Sequence, residues 1–326
     1  MSIHAFMVRK MVGTCALLLL WTTAAAAAFP EKPIQVLVGW PVGSSNDSMD
    51  RAICKPLQRI LKQPVIVQNV PGGGGALVLG RIRTEKPDGY TLFQTGMNMY
   101  SQIPFTRAVP FDPLKDFAYL GQHARFLHYL TCLSESPWKS FEDLIQFAKK
   151  NPKKIKYSTT GVGSSMHIMM EYLAMREGLE WIHVPYASGV EAYTALLGGH
   201  VDLGALTLGL ELEYVNSGRF RALLCLNDKR MPNLPDVPSA TEKGYDFTCT
   251  SSCIWSVPVN TPKDIQKILE KALLQAFADP EAIEMMNKWN KPYDPLDGEA
   301  TTKALVKDHK IYGDLMKKLG LGIFKK

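Results

Sequence analysis

Short apolar runs alternate with longer amphipathic runs along most of this 326-residue chain. Apolar runs of a few residues are typical of buried strands, and apolar positions repeated every three or four residues are typical of helices. The predicted strands lie at 34–38, 65–69, 90–95, 155–158, 201–206 and 221–226. The predicted helices lie at 49–61, 77–84, 141–150, 166–176, 190–198 and 261–278. Because strand and helix alternate, the sequence predicts an α/β fold with doubly wound parallel sheets.

Two irregular strand-like stretches, 117–133 and 247–257, interrupt this alternation. A chain of this length favours two lobes over a single core, and we interpret the two stretches as crossovers that form a hinge. Lobe 1 is then predicted to contain residues 29–130 and 253–326, with the C-terminal helices packed on it, and lobe 2 to contain residues 131–252. In such folds ligands bind at the carboxyl ends of strands, which here face the cleft between the lobes.

The first 28 residues have the pattern of a secretory signal peptide. Arg9 and Lys10 precede an apolar run at 11–23, and Ala26-Ala27-Ala28 offers a cleavage site made of small residues. The apolar run is shorter than the roughly 20 residues of a membrane-spanning helix, which disfavours an uncleaved anchor. Lipidation at Cys15 is disfavoured because the apolar run continues past that residue. We therefore predict export to the periplasm.

Charge and cysteine content argue against several classes of protein. The formal net charge of +6 is small. The chain also lacks the dense basic runs that are typical of nucleic-acid-binding proteins. The cysteines that follow the signal peptide are odd in number and scattered, which is not typical of a disulfide framework. The absence of CxxC and HExxH motifs argues against a metal site. Without a G-x-S-x-G motif, neither a catalytic set nor a cofactor is expected.

Two turns rich in serine and glycine, at 43–47 and 160–165, each follow a predicted strand and precede a predicted helix. The start of a helix has N–H groups without intrahelical partners and the positive end of the helix dipole, so it attracts anions. One such turn in each predicted lobe indicates a small carboxylate held between the lobes. The alternative for each turn is an ordinary helix start, capped by a serine without any ligand.

Short sequence blocks are more specific than this general pattern. They are P-I at 33–34 leading to G-S-S-N-D at 43–47, V-Q-N-V-P-G-G-G-G at 67–75, P-D-G-Y-T-L at 87–92, F-D-P-L-K-D-F at 111–117, G-V-G-S at 161–164, H-V-P-Y at 183–186, L-L-G-G-H-V-D at 196–202 and L-P-D-V-P-S at 234–239. In this order the blocks resemble the receptors of tripartite tricarboxylate transporters, often called the Bug family. The resemblance implies a two-lobe type II periplasmic binding protein fold, a carboxylate ligand and no catalysis. It also implies delivery of the ligand to a pair of membrane transporter subunits. We expect the receptor to be a monomer.

Three positions depart from the family's pattern. Ser44 stands where the family usually has a second glycine, Ala187-Ser188 replace a lysine-glycine pair, and Leu206 replaces an acidic or polar residue. The first and third positions lie where ligand specificity would be set. Together with Trp40, Leu206 favours an aromatic or less polar carboxylate over a tricarboxylate such as citrate.

The residues expected to bind the ligand lie in the two turns and near the ends of strands. They are Trp40, Ser44, Ser45, Asp47, Thr95, Thr160, Gly161, Gly163, Ser164, Tyr186 and Thr207. The serines would donate hydroxyls, the glycines would let the backbone approach the ligand, and the threonines would line the cleft. Asp47 is assigned to the turn itself or to a water network. Trp40 and Tyr186 would stack on the ligand, with a core position as the alternative.

Three further interpretations stay open. His167, one turn into its predicted helix, is more typical of a structural hydrogen bond than of ligand contact. The glycines at 72–75 lack the G-K-[ST] ending of a phosphate loop, which favours a tight strand-to-helix connection. The receptor could dock on a sensor kinase instead of a transporter, and an exported hydrolase is a more distant alternative.

Overall fold

The computed structural model describes residues 29–72, 76–207, 210–249 and 251–325. The predicted signal peptide, and most of the glycine-rich connection at 72–75, lie outside these residues. Within them, no helix combines the length and the apolar character that crossing a membrane requires.

Two sheets form the two lobes. The strands are β1 (Ile34–Val38), β2 (Val65–Asn69), β3 (Thr91–Gly96), β4 (Phe117–Arg125), β5 (His128–Leu133), β6 (Lys156–Thr159), β7 (Ile182–Pro185), β8 (Leu203–Thr207), β9 (Phe220–Cys225), β10 (Ser252–Pro258) and β11 (Tyr293–Asp297). The sheet of lobe 1 has the order β11-β4-β10-β3-β1-β2, and the sheet of lobe 2 has the order β7-β6-β8-β5-β9. The chain enters lobe 2 between β4 and β5, so the predicted boundary at 130/131 falls inside β5.

Both sheets are mixed, where the sequence predicted parallel sheets. Strand β1 is parallel to β2 and β3, and β6 is parallel to β7 and β8. In contrast, β10 is antiparallel to β3 and β4, β11 is antiparallel to β4, and β5 is antiparallel to β8 and β9. A helical crossover returns the chain so that the next strand runs parallel. Strands β5 and β10, which the chain enters from the other lobe, have no such crossover before them and run the opposite way.

The helices follow the strands in the expected alternation. They are α1 (Ser45–Leu61), α2 (Ala76–Gly80), α3 (Met97–Ser101), α4 (Ile103–Thr106), α5 (Phe141–Lys150), α6 (Ser165–Glu177), α7 (Gly189–Leu197), α8 (Leu210–Asn216), α9 (Lys263–Phe277), α10 (Pro280–Lys288) and α11 (Gly298–Leu319). The predicted helix at 77–84 is α2 followed by a 3₁₀ turn at Arg81–Arg83. The sequence did not predict α3 and α4, which follow β3 directly and have only five and four residues.

Helices cover both faces of the lobe 1 sheet. On one face α1 and α9 pack Leu57 and Phe277 into a cluster that contains Trp255 of β10. On the other face Phe93 of β3 packs with Tyr100 of α3. Each large apolar side chain buried in this way contributes about 1.5–3 kcal/mol to the stability of the fold. The two clusters therefore hold the carboxyl end of β1, which leads into the turn at 43–47.

The last helix, α11, packs against both lobes. Leu305 in its first half belongs to a core cluster of lobe 1. Tyr312, Leu315 and Met316 in its second half belong to the main core cluster of lobe 2. The first half of α11 therefore packs on lobe 1, and its second half completes the core of lobe 2.

Candidate functional site

A cleft of about 580 Å³ lies between the two lobes. Its polar lining from lobe 1 consists of Asn46, Asn98, Gln102, Thr106 and Arg107. Its polar lining from lobe 2 consists of His128, Thr160, Ser164, Ser165 and Thr207, together with Gly163, and Ser251 lines it from the segment that precedes β10. Residues from both lobes thus surround one volume, which is large enough for a small organic molecule.

The first serine-rich turn is stabilised from within. Ser44 caps α1, because its Oγ accepts a hydrogen bond from the backbone N–H of Asp47 at 3.2 Å. The Asp47 carboxylate accepts hydrogen bonds from the Gly43 N–H, Asn69 Nδ2 and Arg51 Nε at 2.7 to 3.0 Å. Burial opposes ionisation of Asp47, but these donors outweigh it and hold the pKa of its carboxyl below the ordinary value. Ser44 and Asp47 therefore shape the turn and do not line the cleft.

Lys291 lies directly behind the first turn. Its ammonium donates hydrogen bonds to Ser45 Oγ at 3.2 Å and to Asn46 Oδ1, and it stands 4.5 Å from the ring centroid of Phe126. The side chain is buried, with 6% of the residue exposed. Because Asn46 and Phe126 both line the cleft, the positive charge lies one side chain away from any ligand. No local sequence pattern indicates this residue, which comes from the segment between α10 and β11.

The second turn uses glycine to bring its backbone to the cleft. Gly161 and Gly163 have φ of +117° and +79°, a region that favours glycine. Ser164 caps α6 by accepting a hydrogen bond from the His167 N–H at 3.2 Å. The carbonyl of Gly163 accepts a hydrogen bond from Tyr312 of α11, which fixes the turn against the rest of the molecule. The other N–H groups at the start of α6 are available to an anion.

A pair of stacked histidines supports the second turn from below. The Gly163 N–H donates to His167 Nδ1 at 3.0 Å, so that nitrogen is unprotonated, and burial lowers the pKa of His167 to about 4. The His167 ring stacks on His183 with centroids 4.1 Å apart, and His183 Nε2 lies 2.8 Å from Thr159 Oγ1. His167 thus makes the structural hydrogen bond that the sequence favoured.

A side-chain hydrogen bond joins the lobes at the edge of the cleft. Ser165 of lobe 2 donates from Oγ to Gln102 Oε1 of lobe 1 at 2.6 Å. Gln102 is 4% exposed, and its Nε2 has no hydrogen-bond partner among the described residues. A buried amide without a partner costs free energy, so this donor favours a ligand or water that supplies an acceptor.

The apolar part of the cleft is built around Trp40. Trp40 Nε1 donates to Gln94 Oε1 at 2.9 Å, and its ring meets Phe126 edge to face at 6.4 Å. The hydrogen bond holds the indole in place, so its face can cover an apolar ligand body. The apolar lining consists of Trp40, Met99, Ile103, Phe126, Val162 and Met166.

The structure brings some of the predicted site residues together and leaves others outside the cleft. Those that line it are Trp40, Thr160, Gly163, Ser164 and Thr207, while Ser44, Ser45, Asp47, Thr95, Gly161 and Tyr186 do not. Thr95 is fully buried because β3 points it beneath Gly39, where a Cβ would come within 2.8 Å of its hydroxyl. Tyr186 follows the edge strand β7 and packs against the apolar cluster of α7. The face of β3 on which Thr95 lies and the packing of Tyr186 beside α7 decide the two cases, and local sequence pattern predicts neither.

The charge of the cleft is suited to an anion. Among the described residues that line it, none is acidic, and Arg107 carries the single formal charge. His128 Nδ1 lies 3.2 Å from Thr207 Oγ1, and burial lowers the pKa of His128 to about 4, so it is neutral near pH 7. No group of residues in the described ranges has the composition of a metal site. The cleft therefore offers neutral donors, two helix starts and positive charge.

Comparison with known proteins gives the family. The family model described as "Tripartite tricarboxylate transporter family receptor" matches residues 49–321. A Cupriavidus necator protein, described as a UPF0065 protein in the gbd 5' region, is 37% identical over 272 residues, which cover 83% of this chain and 82% of that protein.

Solved structures share the architecture. A TctC solute binding protein from Polaromonas, without ligand, has a TM-score of 0.83 at 24% identity, over 89% of this chain and 99% of that one. An R. palustris protein with adipate has a TM-score of 0.72 at 21% identity, over 90% and 99% of the two chains. MatC from Rhodopseudomonas palustris with bound malate has a TM-score of 0.68 at 21% identity, over 88% and 99%. The predicted two-lobe periplasmic binding protein fold is confirmed, and with a family model that spans most of the chain, the protein belongs to the receptor family of the tripartite tricarboxylate transporters.

Proposed function

We propose that this protein is an exported receptor that captures a small carboxylate between its lobes and delivers it to a tripartite tricarboxylate-type membrane transporter. The observation that carries this proposal is the cleft itself, in which the starts of α1 and α6 meet from opposite lobes with no acidic side chain in the described lining. Helix starts favour negative charge, and an acid in the lining would oppose it. The role has no catalytic step.

The composition of the lining favours a mono- or dicarboxylate with an apolar body. A cation such as an amino acid's ammonium group would find no acidic partner in the described lining. A tricarboxylate carries more negative charge than Arg107 and Lys291 can balance, while Trp40 and Phe126 offer apolar cover. The fold relatives with adipate and malate carry ligands of the favoured size.

The energetics of such a site are sufficient for a receptor. A dissociation constant near 1 μM corresponds to about −8 kcal/mol. Charge-assisted hydrogen bonds contribute about 1.5–3 kcal/mol each, so a few of them from the two turns supply this energy after the cost of ordering the lobes. Closure of the lobes would exclude water and strengthen each bond.

A thermal-shift screen tests the proposed ligand class. The protein from residue 29 onward is melted with aliphatic di- and tricarboxylates, aromatic carboxylates, amino acids and phosphate esters. We expect a saturable rise of several degrees with mono- or dicarboxylates and none with amino acids, because a ligand of the folded state stabilises it by RT ln(1 + [L]/Kd). A shift confined to amino acids or phosphate esters would contradict the proposal. Native mass spectrometry of the untreated protein shows whether a ligand is already bound.

Replacement of Ser164 by alanine is expected to weaken carboxylate binding about tenfold, or about 1.4 kcal/mol. The change removes both the cap of α6 and a hydroxyl that lines the cleft. Loss of the cap alone costs the protein about 1 kcal/mol of stability. Calorimetric titration measures the dissociation constant. Ser140→Ala is the matched control, since Ser140 caps α5 outside the cleft, and it should lose stability without losing affinity.

A further inference from the structure

A buried cation without an ion pair stands behind the wall of the ligand cleft. Lys291 is 6% exposed, and among the described residues its ammonium donates hydrogen bonds to Ser45 and Asn46 and to no carboxylate. Its hydrogen-bond acceptors, Ser45 Oγ and Asn46 Oδ1, are neutral, and the remaining contact is the face of Phe126. Burial of an unpaired charge is costly, so its retention requires a reason.

The position of Lys291 raises this cost further. Ser45 and Asn46 are the first residues of α1, so the ammonium lies at the positive end of the helix dipole, where anions and not cations are stabilised. Burial lowers the pKa of Lys291 accordingly. In the ligand-free protein the cation therefore interacts unfavourably with both its desolvated surroundings and the helix.

Asp50 is the buried acid that acts on Lys291 through space, but no salt bridge joins the two among the described residues. Asp50, one turn further along α1, is fully buried, and neither of its carboxyl oxygens has a hydrogen-bond partner among the described residues. Burial raises the pKa of Asp50 well above its ordinary value in spite of the opposing effect of Lys291, so its charged form is disfavoured. His123 Nε2 lies 4.0 Å from this carboxyl, and burial lowers the pKa of His123 to about 3, which leaves that histidine neutral near pH 7.

We propose that the ammonium of Lys291 is the counter-ion of the ligand carboxylate and the main determinant of the preference for charged over neutral ligands. The inference rests on the proposed function. The carboxylate binds at the start of α1 against Asn46, and its negative charge offsets both unfavourable interactions of Lys291. Lys291 lies behind Asn46 and Phe126 and does not touch the ligand. It therefore sets the preference for a negatively charged ligand, while the residues that touch the ligand set the preference for its shape.

The test compares Lys291→Met with the wild-type protein. Methionine keeps the length and apolar stem of lysine and removes its charge. The probes are adipate, malate and benzoate, each paired with its neutral primary amide, and the readout is the dissociation constant from calorimetry. We expect Lys291→Met to bind the carboxylates about 30-fold more weakly and the amides unchanged, as for the loss of one charge-assisted interaction. Lys288→Met, an exposed lysine three residues away, is the control for net charge and should change neither.

Stability of the ligand-free variant supplies a second measurement. We expect Lys291→Met to melt at or above the wild-type temperature, since it removes an unpaired buried charge. A lower melting temperature with unchanged carboxylate affinity would overturn the inference and make Lys291 a structural partner of Asp50. Equal affinity of both proteins for the carboxylates would overturn it too. If wild type binds none of the three carboxylates, the proposed function itself fails, and the inference fails with it.

Discussion

Replacement of Gly163 by valine is expected to weaken carboxylate binding at least 100-fold while leaving the protein folded. Gly163 has φ of +79°, and a Cβ at this position would lie 3.2 Å from Thr106 Cγ2 of the opposite lobe. Valine therefore forces the second turn away from its present path. The turn would lose at least one or two charge-assisted hydrogen bonds to the ligand, worth about 1.5–3 kcal/mol each.

A matched variant separates backbone strain from loss of the site. Gly178 ends α6 with φ of +69°, and a Cβ there would meet no atom within 4 Å. Gly178→Val therefore carries a comparable conformational cost at the opposite end of the same helix. Both variants should melt a few degrees below wild type, and only Gly163→Val should lose binding by calorimetry. Similar affinities for the two variants would mean that the second turn does not contact the ligand.

Stability is expected to fall steeply as the pH drops from about 6.5 towards 4. Burial lowers the pKa of His123 to about 3 and that of His128 to about 4, whereas an unfolded histidine titrates near 6.5. The unfolded chain thus binds more protons in this range, so these residues add stability above pH 6.5 and lose it below. For His128 the loss by pH 4 is on the order of 3 kcal/mol. Asp50 acts in the opposite direction, because its raised pKa makes the folded state bind the extra proton.

The variant His123→Asn measures the contribution of one histidine to this pH dependence of stability. Asparagine can still accept the hydrogen bond that Trp255 Nε1 donates to His123 Nδ1 at 2.9 Å, but it does not titrate. We expect the free energy of unfolding of the variant to depend less on pH between 6 and 4, by about 1.4 kcal/mol per pH unit. Denaturant titrations at several pH values measure this slope. His200→Asn, at an exposed histidine, should leave the slope near that of wild type, and an unchanged slope for His123→Asn would contradict the prediction.

Much of the fold could be predicted from local pattern. The predicted strands 34–38 and 65–69 match β1 and β2, and the predicted helix 141–150 matches α5. These segments have clear apolar periods and capping residues, which act over a few neighbouring positions. The direction of β5 and β10 was not predicted, because it depends on where the chain leaves one sheet for the other.

The site was predicted only in part for the same reason. Ser164 and Gly163 belong to a local signal, a small-residue turn before a helix, and both line the cleft. Gln102 and Arg107 lie around two helices too short to show a period. Lys291 meets Ser45 across 246 positions of sequence, and no local pattern records such a contact. Local sequence pattern therefore predicts the turn at the start of α6 more readily than it predicts a charged residue, such as Lys291, that is distant in sequence.

The helix α11, which packs on both lobes, determines when during synthesis the core of lobe 2 can be completed. The core of lobe 2 is made mostly from residues that precede β10, yet it includes Tyr312, Leu315 and Met316 near the end of the chain. A growing chain that has supplied every strand of both sheets still lacks these three side chains. The core of lobe 2 is therefore completed only when the second half of α11 packs against it.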